Sequence, residues 1–437
     1  MSREIVQLQQ PVERALLVGA PLKRGRARDN LREHLEELER LTDTAGAVIV
    51  GELTQALDRP NPATYLGAGK IEELRQKVID THASLVVFDD ELSPSQSKNI
   101  EDAIGQRVVD RAELILDIFA TRARTAEAKM QVELAQLQYM LPRLTRMWTH
   151  LEKFRGGIGV RGPGETQLET DRRLISHRIK TLREKLSEFQ KGRAVQRQSR
   201  RSEFRGALVG YTNAGKSSLL RNLAGADEVF VEDRLFATLD PLTREVKLED
   251  NARALLTDTV GFIRKLPHHL VASFRATLEE ANEADLLLHV IDASHPSWEE
   301  QKEVVEGVLR DLELEKKPVL LVFNKIDLLK EEELLALQDR YANGETQAVF
   351  VSTVTPHGTD PVRRALQAAM RVRRPLAEIH LSSSDGKLLA EIHQYGEVLD
   401  QRSVGEQMVI RARVGEKLEG RLRRAGARVE REDSAGA

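Results

Sequence analysis

The chain contains no cysteine in 437 residues, which excludes disulfides and thiolate metal sites. Its eleven histidines show no metal-ligand spacing. The adjacent His268 and His269 point their side chains apart and read as polar surface. No apolar run approaches the roughly 20 residues that a bilayer span needs, so no membrane partner is expected. The polar start MSREIVQLQQ lacks the apolar core of a signal peptide, which makes the cytoplasm the expected compartment. A large charge of one sign is also missing. With a formal net charge of -3, any nucleic-acid contact has to come from a local basic segment and not from the whole surface. What is present is a 41% hydrophobic, 31% charged chain, long enough for about three domains of ~100 to 200 residues.

The organisation reads as multidomain α/β. Over 1–111, short apolar runs (Ala15 to Val18, Ala47 to Val50, Leu85 to Phe88, Val108 and Val109) alternate with helical periods such as Leu31, Leu35, Leu38, Leu41. The Gly67, Gly69, Lys70 cluster imitates a phosphate loop. Thr64 falls where its first glycine is needed and Ile71 where its hydroxyl is needed, so it reads as a turn opening a helix. Residues 112–203 should form a long antiparallel helical hairpin. An unbroken helical pattern runs from Ala112 to Leu141, and a second begins near Thr166, whose spacing to Glu169 suits a capping box. Ile175, Ile179, Leu182, Leu186 and Phe189 then make a heptad seam, expected to face the first helix and not a second copy of the chain. A monomer is therefore expected.

Between the two helices, Arg143, Arg146, Lys153, Arg155 and Arg161 are interleaved with Trp148, Phe154 and five glycines. Basic residues neutralise phosphates and aromatics stack on bases, so these five are candidate RNA contacts. A solvated connector accounts for the charges equally well; the glycines favour a backbone that moulds to RNA. Residues 204–372 alternate strand and helix in the manner of a doubly wound parallel sheet, and 373–437 suggest a small α/β domain.

The chemistry lies in 204–372. Gly210, Tyr211, Thr212, Asn213, Ala214, Gly215, Lys216 and Ser217 fit GxxxxGK[ST] at a strand-to-helix turn. There, backbone N–H groups and the helix start cradle phosphates, Lys216 reaches the β and γ phosphates, and Ser217 ligates Mg²⁺. Asp258, Thr259, Val260 and Gly261 form DxxG. Asp258 would hold Mg²⁺ through water, and the Gly261 N–H would sense the γ-phosphate. Between these motifs, in Phe236, Ala237, Thr238, Leu239 and Asp240, the Thr238 hydroxyl can ligate Mg²⁺ directly. Lys216, Thr238 and Gly261 are thus the candidate catalytic groups. Asn324, Lys325, Ile326 and Asp327 form NKxD at a strand end. The Asp327 carboxylate can accept both donors of guanine but would face an acceptor on adenine, which selects GTP over ATP. Ser352, Thr353 and Val354 would close the base pocket. After DxxG stands Phe262, where Ras-like GTPases place a water-orienting glutamine. Slow intrinsic hydrolysis follows, with the missing group supplied by a partner or an added cation. Asn213 stands where potassium-activated GTPases place a K⁺ ligand; shaping the loop is an equal account of it.

Taken together, GGIGVRGPGETQLE (156–169), GYTNAGKS, FATLDP, DTVGF and NKID resemble the HflX family of ribosome-associated GTPases. NPATYLGAGKIEEL and HQYGEVL also look like that family, so the resemblance covers essentially the whole chain. It implies binding to the large ribosomal subunit and its RNA, and GTP-dependent action on stalled or idle ribosomes that extends to separating their subunits. The N-terminal domains would approach ribosomal RNA. Thr353 departs from the alanine usual in the base-pocket motif. From a different class, a GTP-gated module acting on a non-ribosomal protein or RNA stays open, with the glycine-rich loop as a hinge.

Overall fold

The computed structural model describes residues 12–23, 30–144, 163–199, 203–225, 235–249, 252–266, 280–342, 344 and 346–431. They fall into two compact units. One is drawn from Met1–Gln190, Asp233–Asp240 and Arg264–Arg275, the other from Lys191–Glu232, Pro241–Ile263 and Ala276–Ala437. Two short pieces from within 204–372 therefore group with the N-terminal part of the chain.

The first unit is built on a parallel sheet of β1 (Arg14–Gly19), β2 (Val48–Thr54), β3 (Leu85–Phe88) and β4 (Arg107–Asp110), in the order β2-β1-β3-β4. Helices α1 (Leu31–Thr44), α2 (Ala68–Thr81) and α3 (Pro94–Ile104) are its crossovers. The Leu31 to Leu41 period places Leu35, Leu38 and Leu41 in the core as expected. GAGK does open a helix, with Gly67 as the N-cap of α2 and Lys70 paired to Glu73 at 2.8 Å.

The expected single helix from Ala112 to Leu141 is two. After α4 (Arg111–Arg122) the chain turns extended at Ala123, and Thr125 caps α5 (Ala126–Met140) by accepting from the Ala128 N–H. No proline or glycine marks this break; a threonine hydroxyl does, which satisfies an otherwise orphaned helix donor. The second hairpin helix, α6 (Pro163–Ser199), is already running before Thr166, started by a proline at its first turn. Its seam packs as expected. Ile179, Leu182 and Leu186 are buried with Leu134 against Met130, Leu137, Leu141 and Ile175. Phe189 does not join them and is 44% exposed. Arg178 clamps Glu133 with two bonds of 2.7 and 2.8 Å beside the seam.

In the second unit a six-stranded sheet runs β10-β9-β8-β5-β7-β6. Its members are β5 (Phe204–Gly210), β6 (Leu242–Lys247), β7 (Arg253–Asp258), β8 (Leu286–Asp292), β9 (Val319–Asn324) and β10 (Ala348–Phe350). All pairings are parallel except β6 with β7, an antiparallel edge that the sequence pattern did not announce. LLLHVID reads as an almost continuous apolar run because β8 is covered on both faces. One face packs on α7 (Lys216–Ala224) and α10 (Asp360–Arg373), the other on Trp298 of α8 (Trp298–Asp311) and Leu337 of α9 (Glu331–Ala342). The strand order reverses beside β5, so its carboxyl end opens onto the crevice where such sheets bind ligands.

The C-terminal residues form a third sheet, β11 (Leu376–Ser382), β12 (Glu397–Val404), β13 (Gln407–Arg413) and β14 (Arg428–Arg431), in the order β12-β13-β11-β14. With α11 (Gly386–Tyr395) and α12 (Glu416–Arg424) this is a β-α-β-β-α-β arrangement, wholly antiparallel. Among the described residues no helix is long and apolar enough to cross a membrane.

Candidate functional site

The phosphate-loop residues leave the carboxyl end of β5, and Lys216 begins α7. Lys216 is buried, and its ammonium donates to the carbonyls of Gly210 at 3.1 Å and Tyr211 at 2.9 Å. Burial pulls this ammonium down to about 8, while Asp258 holds it up.

Ser217 Oγ donates to Asp258 Oδ2 at 2.6 Å, and the Asp258 carboxylate at the end of β7 is fully buried. An alcohol and a carboxylate are the hard oxygen donors that Mg²⁺ takes, so this pair fits the metal that the motif implies. Among the described residues no cluster of three or more His, Cys, Asp or Glu could hold a metal by itself.

DxxG is stitched to the phosphate loop. Phe262 N–H donates to Gly210 O at 3.0 Å, Thr212 N–H donates to Phe262 O at 2.7 Å, and Tyr211 and Phe262 form a short parallel bridge. A Cβ on Gly261 would lie 2.7 Å from Thr212 Cα and 3.0 Å from Lys216 Nζ, so only glycine lets the two motifs approach this closely. Phe262 is 3% exposed, its ring packed inside, and it offers no group to a water.

The NKxD motif is tied to the same loop. Asn324 Nδ2 donates to Ala214 O at 3.0 Å, and a Cβ on Gly215 would fall 2.2 Å from that nitrogen. Asp327 accepts from Ser352 Oγ at 2.5 Å, and Ser352 Oγ also accepts from the Val354 N–H at 3.3 Å. Ser352 thereby orients one carboxylate oxygen and shapes the closing loop; Val354 itself is 76% exposed. Lys325, in a left-handed conformation at φ 63°, bonds Asp292 Oδ2 at 2.6 Å. Sequence reasoning missed Asp292. Its signal was its place at the end of β8, level with Asn324 on β9.

Two expected site residues send their side chains elsewhere. Phe236 and Asp240 were expected at the nucleotide, but the Phe236 ring meets Phe119 and the Asp240 carboxylate meets the start of α5. Ala237 and Thr238 between them are half-buried, and Leu239 is buried. Asn213 adopts φ 62°, a left-handed conformation that asparagine tolerates.

Arg143 is a correction to the expected RNA contacts. Its side chain is 11% exposed and bonds Leu92 O at 2.7 Å, Tyr139 O at 3.1 Å and Asp110 at 3.3 Å, with its guanidinium 3.5 Å over the Tyr139 ring. A buried carboxylate recruits it, so it anchors the end of α5 and leaves little of its side chain to solvent. Arg146, Lys153, Arg155 and Arg161 lie outside the described residues.

Comparison with known proteins agrees along the length of the chain. Three family descriptions match in order: "GTP-binding GTPase N-terminal" over residues 32–120, "GTP-binding GTPase Middle Region" over 122–200, and "50S ribosome-binding GTPase" over 205–325. The GTPase HflX of Flavobacterium psychrophilum is 47% identical over 85% of this chain and 92% of its own. That of Magnetococcus marinus is 45% identical over 98% and 99%, and that of Escherichia coli 45% over 84% and 86%. A phosphate loop stitched to DxxG and latched to NKxD, in a chain matched by relatives this similar over most of its length, places it in the HflX family of GTPases.

Proposed function

We propose that this GTPase acts on the ribosome, binding the large subunit through its GTP-bound form and acting on stalled or idle ribosomes, separating their subunits. The observation that carries this reading is the match of residues 205–325 to a family described as ribosome-binding, within a chain of HflX type throughout. In the bound state Ser217 and Thr238 would hold Mg²⁺ directly and Asp258 through water, and the metal would offset charge on the β and γ phosphates. Lys216 would neutralise the same phosphates. Gly261 would report the γ-phosphate through its N–H, and Asn324 and Asp327 would read guanine, with Ser352, Thr353 and Val354 closing over the base.

With Phe262 packed inside, the residue that follows DxxG cannot orient a water, so intrinsic hydrolysis is slow and the ribosome supplies the missing group. K⁺ held at Asn213 is a further source. Turnover in potassium against sodium at equal ionic strength tests it, and equal rates remove it.

The ribosome reading is tested by co-sedimentation with purified subunits in GDP and in a non-hydrolysable GTP analogue, followed by turnover with and without large subunits. Co-migration that requires the analogue, with stimulated turnover, is expected. Absence of nucleotide-dependent co-migration favours a GTP-gated module for another partner.

A further inference from the structure

Thr238 lies in a short segment that is fastened on both sides to helices of the first unit. On one side Phe236, 2% exposed, meets the Phe119 ring of α4 edge-on with centroids 4.7 Å apart. On the other, the Asp240 carboxylate accepts from the backbone N–H groups of Arg124 at 3.2 Å and Thr125 at 3.3 Å, and from the Thr125 hydroxyl. These three donors converge at the N-terminus of α5, where a helix favours negative charge. Phe236 is held at φ 57°, a left-handed conformation that a bulky residue keeps only where its surroundings impose it. Leu235 and Leu239 are buried as well, so the segment has one packed arrangement of its own.

We propose that Phe236 and Asp240 are positioning residues for GTP hydrolysis. Received by Phe119 and Thr125, they pre-shape the Thr238 segment so that engaging a γ-phosphate and its Mg²⁺ does not have to order it. The elbow between α4 and α5 thereby sets how readily the Thr238 segment answers to GTP over GDP. This rests on the reading of Thr238 as a ligand of the γ-phosphate's Mg²⁺. The physical gain is preorganisation: a segment already fixed by two anchors loses less freedom when the ligand closes it.

The test uses the full chain and measures affinity for GDP and for a non-hydrolysable GTP analogue across a Mg²⁺ titration. Asp240→Ala and Thr125→Val should each weaken the analogue at least roughly tenfold, the worth of about one hydrogen bond to a charged group. GDP affinity should not change, and more Mg²⁺ should be needed for half-saturation by the analogue. The double variant should be no worse than Asp240→Ala alone, because Thr125→Val removes one of the bonds that Asp240→Ala already removes. Thr125→Ser, which keeps the hydroxyl and the helix cap, should restore wild-type behaviour. Analogue affinity that is unchanged or raised overturns the proposal, as does an equal loss for GDP. Thr238→Ala separates the two layers. If it leaves analogue affinity intact, the ligand reading of Thr238 falls; if it weakens the analogue while Asp240→Ala does not, only the anchoring falls.

Discussion

Replacing Gly215 by alanine probes the joint between the phosphate loop and the NKxD motif. The new Cβ would stand 2.2 Å from Asn324 Nδ2, and the residue holds φ 93°, which L side chains rarely adopt. Two costs combine. Left-handed strain is about 1 to 2 kcal/mol, and displacing Asn324 from Ala214 O leaves a buried donor or acceptor unmet for about 1 to 3 kcal/mol. The total, roughly 2 to 5 kcal/mol, is divided between folding and nucleotide binding, and each 1.4 kcal/mol that falls on binding is tenfold in affinity. Titration with a fluorescent GDP analogue should therefore show at least about tenfold weaker binding, with a lowered melting temperature. Gly225→Ala is the matched control, because it holds φ 62° with nothing within 4 Å of its Cβ. It should lose stability through strain alone and keep its nucleotide affinity. If Gly215→Ala binds GDP as tightly as the wild type, or behaves like Gly225→Ala, the latch between the two motifs carries no energy and the argument is wrong.

Asp327→Asn replaces one of the two acceptor oxygens and should weaken GTP by about 100-fold while leaving ATP unaffected; competition in which GTP still excludes ATP as before would refute the base assignment. His289, fully buried in β8, is held down to about 3 by burial, with Lys302 and Lys216 adding to it, so the folded protein keeps it neutral while the unfolded chain takes a proton near 6.5. Its stability contribution is complete above about pH 6.5 and is lost as pH falls toward about 3, roughly 2 kcal/mol between pH 8 and pH 5. Urea titrations of His289→Leu should show a flatter acid dependence than the wild type by that amount, and an unchanged difference between the two pH values would dismiss this residue as a source of acid lability. Arg143→Leu leaves Asp110 buried without its cation and should destabilise the protein by about 3 kcal/mol with no change in the salt dependence of ribosome binding. Neutralising Arg146, Lys153, Arg155 and Arg161 should do the reverse, flattening that salt dependence at constant stability; a steep slope retained by the second variant would mark the loop as a connector.

The strands that were legible in advance were those buried on both faces, such as Leu286 to Ile291 and Val319 to Asn324, because continuous apolar runs bounded by polar turns admit few other readings. The edge strand Leu242–Lys247 was not, since it is half exposed and its residues follow no clean alternation. The break between α4 and α5 was hidden for a similar reason. Thr125 ends one helix and begins another through a single hydroxyl, and nothing in its neighbours lowers helix propensity. Arg143 was misread because a basic residue before a glycine-rich stretch looks solvated, and only the fold brings Asp110, far away in the chain, beneath it.

What the sequence by itself determined was the chemistry. The readings proposed for phosphate, Mg²⁺ and guanine each rest on residue types at short fixed spacings, as in GYTNAGKS, DTVG and NKID, and those spacings survive any arrangement of the rest. What only the tertiary structure decided was which residues work together across long separations. The Gly215 contact with Asn324, the Asp292 support of Lys325 and the fastening of Phe236 and Asp240 to α4 and α5 join positions with no local pattern between them. Their partners are chosen by burial and by the need to satisfy every donor and charge removed from water, a condition that exists only once the chain has closed around them.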